Sequence, residues 1–194
     1  MFTGFVTSAT PTSRERIFAA AKVLFQRDGF AETGVREIAA AASLAPALVI
    51  RYFGSKEQLF LATMDLDNGL TQVLAGPMET LGADLASFVM SAAQPDLQGR
   101  GAFGALMRAS DRPAVRASLQ RSLEVSVVDP LRQRLTGHNA DLRARLVSAC
   151  ITGLFSSLEL IGDEKLLTAD HQTVVDVYGP CIQRLLDDQT EASR

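Results

Sequence analysis

The stretch from Val35 to Phe60 constrains the fold of this chain more than any other. Small and apolar residues recur there at three- and four-residue spacing, which is typical of a short helix that buries one face. Ser43-Leu44-Ala45 interrupts the pattern, and Pro46 then opens another short helix, since a first-turn proline leaves no N–H group unpaired. Two short helices joined by such a tight turn predict a helix-turn-helix.

Longer helices flank this motif on both sides. Thr12-Ser13-Arg14-Glu15 has the pattern of a capping box and starts a helix that Gly29 ends. Ser55-Lys56-Glu57-Gln58 is a second capping box, and it opens a helix that runs to about Leu74. Thr33 is a candidate cap for the first short helix.

The remaining sequence also predicts helices, separated by glycine and proline. We place them at 78–93, 101–109, 113–128, 140–161 and 169–187. Asp129-Pro130 either kinks the 113–128 helix or restarts it towards residue 135, and Gly137-His138-Asn139 forms a turn. No segment alternates as a strand does, and no repeat of fixed period occurs. The predicted fold class is all-α with about nine helices.

The charge balance excludes a protein that holds nucleic acid by bulk positive charge. The formal net charge is −3 and the pI is about 5.4. Residues 1–60 nevertheless carry seven Lys or Arg against five Asp or Glu, so the acidic excess lies in the rest of the chain. We expect a flexible tail at 1–12, a helix-turn-helix domain at 13–60 and a helical body at 61–194.

Cysteine content and the opening segment indicate a cytoplasmic protein. The two cysteines, Cys150 and Cys181, fall in apolar helical stretches, which favours small buried residues over a disulfide. The first 13 residues lack the basic and long apolar regions of a signal peptide, and no later run reaches about 18 uninterrupted apolar residues. We therefore predict neither secretion nor membrane insertion.

A small helical enzyme is the rival class. His138 falls in a turn and His171 near a helix start, and neither has the spacing of a metal site with the two cysteines. The sequence contains no glycine-rich phosphate loop and no Gly-x-Ser-x-Gly motif. We predict no catalysis, no metal and no cofactor. A helical protein-interaction module without salt-sensitive DNA binding remains a third class.

The helix that follows the tight turn has two different faces. Its inner face consists of Leu44, Val49 and Phe53. Its outer face consists of Pro46, Ala47, Leu48, Arg51 and Tyr52. An α-helix fits the major groove, where arginine pairs with guanine and a small apolar side chain touches a thymine methyl. Leu48 alone would be an ordinary exposed leucine, but its position beside Arg51 and Tyr52 favours groove contact.

The segment from Ser13 to about Met64 resembles the DNA-binding domain of the TetR family of bacterial repressors. The resemblance rests on SRERIFAAAKVLFQRDGF and ETGVREIAAAASLAPALVIRYFGSKEQLF. It implies a three-helix head on a larger helical body, dimerisation through the last two helices, and a palindromic operator on double-stranded DNA. It also implies release from DNA by a small-molecule effector.

Position by position, the resemblance implies a set of DNA contacts. Phosphate contacts are expected from Thr33, Tyr52 and Lys56, and a contact to a base edge or the backbone from Arg36. Groove contacts are expected from Pro46, Ala47, Leu48 and Arg51. Arg36 as a solvated residue and Lys56 as a mere helix-start cation are the alternative interpretations.

Two residues depart from the family pattern. Ser43 stands where the family prefers glycine, which is tolerable if Ser43 avoids a left-handed conformation. Ile50 stands where the family prefers a tyrosine that contacts DNA, and isoleucine cannot make that hydrogen bond to the DNA backbone.

The body has candidate residues for an interface and for a pocket, although an intramolecular core would show the same periodicity. The candidate dimer interface comprises Leu146, Cys150, Leu154, Val174, Val177, Tyr178, Cys181 and Leu185. The candidate pocket for an apolar effector comprises Phe88, Phe103, Met107, Leu123 and Phe155.

Overall fold

A computed structural model describes residues 11–64, 69–93 and 102–187 of the chain. All regular secondary structure within these ranges is helical, and no strand occurs among them. The described residues form twelve α-helices, or eleven continuous helices when Pro113–Leu123 and Asp129–Arg134 are counted as one through the π-helical turn between them, against about nine expected. The predicted all-α class is confirmed, because the spacing of apolar residues along the chain is helical throughout.

The chain divides into two compact units, Met1–Thr63 and Met64–Arg194. The first unit, the head, contains α1 (Ser13–Glu32), α2 (Val35–Ala41), α3 (Pro46–Phe53) and α4 (Lys56–Thr63). Its core includes an aromatic cluster in which the ring centroids of Phe25 and Phe30 each lie 5.1 Å from that of Phe60. Edge-on packing of these buried rings joins the C-terminal half of α1 to α4.

The described residues of the second unit, the body, form eight α-helices. They are α5 (Leu70–Leu74), α6 (Leu81–Ala92), α7 (Ala102–Arg108), α8 (Pro113–Leu123), α9 (Asp129–Arg134), α10 (Ala140–Phe155), α11 (Glu164–Leu167) and α12 (His171–Leu186). A π-helical turn, Glu124–Val128, joins α8 to α9 without a break, and another, Ser156–Ile161, extends α10. Pro130 therefore lies in the first turn of α9, where its missing N–H group is tolerated.

Several predicted boundaries differ from those of the structure. Gly29 adopts a positive φ of 80° as expected, but the chain resumes a helical course and α1 ends at Glu32. The helix expected to run from Ser55 to Leu74 appears as α4 and α5, and residues 65–68 between them lie outside the described residues. Helix α11 was not predicted. The tail at 1–10 and the turn signals at 95 and 101 also lie outside the described residues.

The core of the body is built around α6, α10 and α12. Its fully buried members include Leu81, Leu85, Val89, Leu131, Ala144, Val147 and Ile182. By length and composition alone, Ala140–Ile161 has the properties of a membrane span. A core helix of a soluble protein passes the same test, and one face of α10 is buried in this core.

Candidate DNA-binding surface

The turn between α2 and α3 has the geometry of a helix-terminating Schellman motif. The N–H of Ser43 donates to the carbonyl of Ala40, and the N–H of Leu44 donates to that of Ala39, each at 2.9 Å. Ser43 has a φ of 54°, so it does adopt the left-handed conformation that the sequence interpretation required it to avoid. The turn is therefore built as in the glycine-containing family pattern, with a strained serine in place of glycine.

Helix α3 separates its two faces as its sequence pattern indicates. Val49 and Phe53 are buried, with 0% and 8% exposure, and Leu44 in the preceding turn is half-buried. The exposed residues of α3 are Pro46, Ala47, Ile50, Arg51 and Tyr52. Leu48 is half-buried, between the two faces. The outer face is thus open to solvent at Pro46, Ala47, Arg51 and Tyr52, four of the five residues that the sequence predicts on it.

Thr33 does not belong to this surface. Its side chain is completely buried, and its hydroxyl donates to the carbonyl of Gly29 at 2.8 Å. The expected phosphate contact by this side chain is therefore wrong. The expected cap is wrong too, because Gly34 precedes α2 and its N–H donates to the carboxylate of Glu37 at 3.4 Å. The position of Thr33 in the sequence could not show that its hydroxyl donates to the carbonyl of Gly29, where α1 is interrupted.

Three cationic side chains lie on the helices that precede and follow α3 in the head. Arg36 is exposed on the first turn of α2. The Nζ atom of Lys56 lies 4.2 Å from the centroid of the Phe30 ring, which holds the ammonium at the start of α4. Arg14, which the sequence interpretation did not select, lies with its guanidinium 5.1 Å from the centroid of Phe53 at the end of α3. A cation beside an aromatic residue of α3 is a tertiary relation that spacing along the chain does not reveal.

The structure brings three of the five candidate pocket residues together in the body. The ring centroid of Phe155 lies 5.2 Å from that of Phe103 and 6.2 Å from that of Phe88. Leu123 instead lines an open groove of about 470 Å³ beside Arg145. Met107 is half-buried on α7. The three phenylalanines form the aromatic cluster of the body.

The candidate interface residues divide into three groups. Leu146, Val177 and Cys181 are exposed, whereas Leu154 is 8% exposed and belongs to the core of the body, so its assignment to an interface is wrong. The others pack partly against that core; they are Cys150, Val174, Tyr178 and Leu185. The expectation that both cysteines are buried is also wrong, because Cys150 is half-buried and Cys181 is exposed.

Tyr178 links the two helices that carry these residues. Its hydroxyl donates to the carbonyl of Cys150 at 3.0 Å, from α12 to α10. Burial of the phenol raises the pKa of Tyr178 to about 12, so the hydroxyl remains a donor above pH 10, where an ordinary tyrosine ionises.

Only part of an exposed apolar surface on α10 was predicted from the sequence. Leu142 is 53% exposed and lies one turn before Leu146, which is 41% exposed. Ala149 and Gly153 continue the same exposed stripe. The signal was present in the sequence as spacings of four and three residues, but a core-facing stripe has the same spacing.

Comparisons with known proteins agree with this architecture. Residues 17–63 match the family model described as bacterial regulatory proteins of the tetR family. Residues 79–186 match the model of a tetracyclin repressor-like C-terminal domain, and this match alone covers more than half of the chain.

Individual relatives are similar in sequence or in structure. An HTH-type transcriptional repressor of Mycobacterium tuberculosis (strain H37Rv) is 44% identical over 69 residues, which are 33% of this chain and only 37% of that protein. A TetR-family regulator from Streptomyces coelicolor is 27% identical, with a TM-score of 0.60 over 93% of this chain and 99% of that one.

A third relative shares the fold at lower sequence identity. It is NalD of Pseudomonas aeruginosa, described as the secondary repressor of a multidrug efflux pump, with 21% identity and a TM-score of 0.68 over 91% of this chain and 97% of that one. The two domain matches span head and body in the order in which the structure shows them. The chain therefore belongs to the TetR family of bacterial regulatory proteins.

Proposed function

We propose that this protein is a cytoplasmic repressor that binds a palindromic operator as a homodimer and is released by a small-molecule effector. The observation that carries the DNA-binding part is the outer face of α3, where Arg51 and Tyr52 are exposed while Val49 and Phe53 of the same helix are buried. The buried residues hold the helix to the head, so the exposed ones are free to enter a major groove.

The contact set differs in one member from that expected from the sequence. Arg51 reads a base edge, and Pro46, Ala47 and Leu48 make apolar contacts in the groove. Tyr52, Lys56 and Arg36 bind phosphates or an adjacent base edge and fix the register of the head on the duplex. Thr33 is omitted because its hydroxyl is buried.

The test is the double variant Arg51→Ala with Tyr52→Ala, measured against operator DNA selected with the purified protein. We expect a loss of affinity of about 100-fold or more, because a good arginine–guanine pair contributes about 1–3 kcal/mol and a dimer loses two. Arg116→Ala, which removes an equal charge from the exposed face of α8, is the matched control. Unchanged affinity of the double variant would refute the proposed surface.

The same titration separates a regulator from a helical protein-interaction module. Binding through phosphates releases counterions, so affinity falls steeply with salt concentration. A series between about 50 and 200 mM salt at fixed pH shows this slope directly. Absence of any salt-dependent binding to duplex DNA would favour the interaction module.

We assign dimerisation to the exposed apolar stripe of α10 and the neighbouring exposed residues of α12. The stripe comprises Leu142, Leu146, Ala149, Gly153, Val177 and Cys181. Two copies of an α10–α12 pair would form a four-helix interface around a two-fold axis, with small residues where the helices approach. The two-fold axis would then impose the palindromic symmetry of the operator.

Sedimentation equilibrium tests this assignment. We expect the wild-type protein to be a dimer at micromolar concentration and Leu142→Glu with Leu146→Glu to be a monomer, because burial of two carboxylates per protomer opposes association. Val125→Glu places a charge on another exposed apolar residue, 66% exposed on the first π-helical turn, and should leave the dimer intact. A monomeric wild type would overturn the proposal.

We assign effector binding to the aromatic cluster Phe88, Phe103 and Phe155. Its rings come from α6, α7 and the end of α10, so a ligand among them would change how these helices pack. The probe is anilinonaphthalene sulfonate, an anionic dye whose aromatic rings bind apolar surfaces. Dye binding that is lost in Phe103→Ala and that lowers operator affinity in the wild type supports the assignment, and dye binding unaffected by Phe103→Ala contradicts it.

A further inference from the structure

Arg16 connects the first turn of α1 to the turn of the helix-turn-helix. Its side chain is half-buried, and the Nη2 atom of its guanidinium donates to the carbonyl oxygen of Ala42 and, at 3.4 Å, to that of Ser43. The contact joins residues that are 26 and 27 positions apart in sequence. Arg16 is thus a tertiary support of the turn rather than part of the exposed face of α3.

The chemistry of the turn explains why a cation lies there. The end of α2 is the negative end of its helix dipole, and its last carbonyls have no partner within the helix. The Schellman bonds satisfy the carbonyls of Ala39 and Ala40, and Arg16 donates to those of Ala42 and Ser43. Such charge-assisted bonds are stronger than neutral ones.

The turn also contains backbone strain. Ser43 has a φ of 54°, and a residue with a side chain in this region is less stable than glycine by about 1–2 kcal/mol. The guanidinium binds the carbonyl of this same residue and of the residue before it. Arg16 therefore favours the one turn conformation that the serine by itself disfavours.

The turn determines where α3 points. Only four residues, 42–45, separate the end of α2 from Pro46, and Ala45 caps α3 while its carbonyl accepts from the N–H of Leu48 at 3.0 Å. A change in φ at Ser43 would rotate the whole of α3, with Arg51 and Tyr52, relative to α2. The orientation of the groove-facing side chains thus depends on a residue of α1.

We propose that Arg16 is a positioning residue for operator recognition, which acts by holding the α2–α3 turn and thereby sets the angle of α3 in the groove. This proposal rests on the proposed DNA-binding surface. A positioning role and a phosphate contact predict different measurable effects of losing the side chain. Loss of a positioning residue lowers discrimination between operator and unrelated DNA, whereas loss of a phosphate contact weakens binding to every sequence and reduces its salt dependence.

The primary variant is Arg16→Met, and Arg27→Met is its matched control. Arg27 lies on the same helix and its loss changes the net charge equally, but its guanidinium pairs with Asp28 at 2.6 Å and with Glu37 on the first turn of α2 at 3.6 Å rather than with the carbonyls of the turn. We expect Arg16→Met to lower operator affinity about tenfold, which corresponds to about 1.4 kcal/mol, while affinity for unrelated DNA and the salt slope stay unchanged. Arg27→Met should leave discrimination unchanged.

Two further variants keep the test informative if Arg16→Met folds poorly. Arg16→Lys retains the charge, but its side chain is shorter, so the ammonium does not reach the position from which Nη2 of Arg16 donates to both carbonyls, and the variant should lose part of the discrimination. Ser43→Gly removes the strain, and in that background Arg16→Met should reduce operator affinity by a smaller factor than in the wild type. Equal factors in the two backgrounds would overturn the proposed link between Arg16 and the turn.

The outcomes separate this inference from the proposed function. Because each dimer carries two Arg16 residues, a phosphate role would reduce the salt slope by about 1.8 in Arg16→Met, and that result would overturn the positioning role. If Arg51→Ala with Tyr52→Ala abolishes operator binding but Arg16→Met changes neither affinity nor discrimination, only the positioning role fails. If the wild type binds no duplex DNA, the proposed surface fails together with it.

Discussion

Gly82 and Gly179 face each other where α6 crosses α12, and neither position has room for a side chain. A Cβ atom on Gly82 would lie 2.5 Å from the carbonyl oxygen of Gly179, and one on Gly179 would lie 2.9 Å from Cα of Ala83. Gln183 reinforces the crossing, because its Oε1 accepts from the N–H of Gly82 at 2.8 Å and its Nε2 donates to the carbonyl of Met78 at 2.9 Å. Because both residues are glycine, the two backbones approach closely. Gln183 of α12 can then cap the N-terminus of α6.

Gly179→Ala should therefore destabilise the body. A methyl group at this contact has to push the two backbones apart, and overpacking of this kind costs about 1–3 kcal/mol. Urea unfolding followed by circular dichroism gives the free energy of unfolding. Gly153→Ala is the control, and both substitutions are made in the Leu142→Glu, Leu146→Glu background so that the proposed dimer interface does not contribute. Nothing lies within 4 Å of the Cβ added at Gly153, and the better helix propensity of alanine should stabilise α10 by up to about 1 kcal/mol. Equal effects of the two substitutions would contradict the close approach.

Arg143→Met should destabilise the body more than loss of a surface arginine does. Arg143 is 8% exposed, and its guanidinium donates to the carbonyls of Thr136 at 2.8 Å and of Leu185 and Leu186 at 2.9 Å each. Methionine fills similar space but leaves these carbonyls without that donor, which costs about 2–4 kcal/mol. Arg116→Met, on an exposed site, should change the free energy of unfolding by less than about 0.5 kcal/mol.

Thr33→Val should destabilise the head without changing the salt dependence of DNA binding. The substitution preserves shape but removes the hydroxyl that donates to Gly29, and a lost buried hydrogen bond costs about 1–2 kcal/mol. Thr33→Ser keeps the donor and is the control. Thermal unfolding and the salt slope of operator binding are measured together. A reduced slope at unchanged stability would restore the phosphate contact that burial argues against.

The capping box at the start of α1 should open in acid. The backbone N–H of Thr12 donates to Oε2 of Glu15 at 2.7 Å and its hydroxyl donates at 3.0 Å, and these bonds lower the pKa of Glu15 below its ordinary value of 4.5. Because the folded pKa is the lower one, the stabilisation is present above the unfolded pKa and is lost as pH falls through the folded pKa.

NMR titration of the Glu15 side chain measures this shift. The midpoint should lie below 4.5 in the wild type, and it should move part of the way back in Thr12→Val, which keeps the backbone donor but loses the hydroxyl. A midpoint that is the same in both proteins would show that the hydroxyl bond does not form in solution.

Much of the fold could be predicted because its signals are local. The capping box at Thr12, the positive φ of Gly29 and the buried Val49 and Phe53 of α3 all follow from residues within one or two turns of one another. The family resemblance used the same local patterns. Errors arose where one residue has two possible partners, as with Thr33, whose hydroxyl bonds within the head, and Leu154, which packs in the core of the body.

The sequence by itself determined the helical class, the helix-turn-helix and the outward face of α3, because helix periodicity and end-capping depend on neighbouring residues. Only the tertiary structure decided that Ser43 is left-handed with Arg16 bound to its carbonyl, that Leu142 stays exposed while Leu154 is covered, and that Gly82 meets Gly179. The physical reason is that an apolar spacing marks which side of a helix avoids water but not which distant part of the chain covers it.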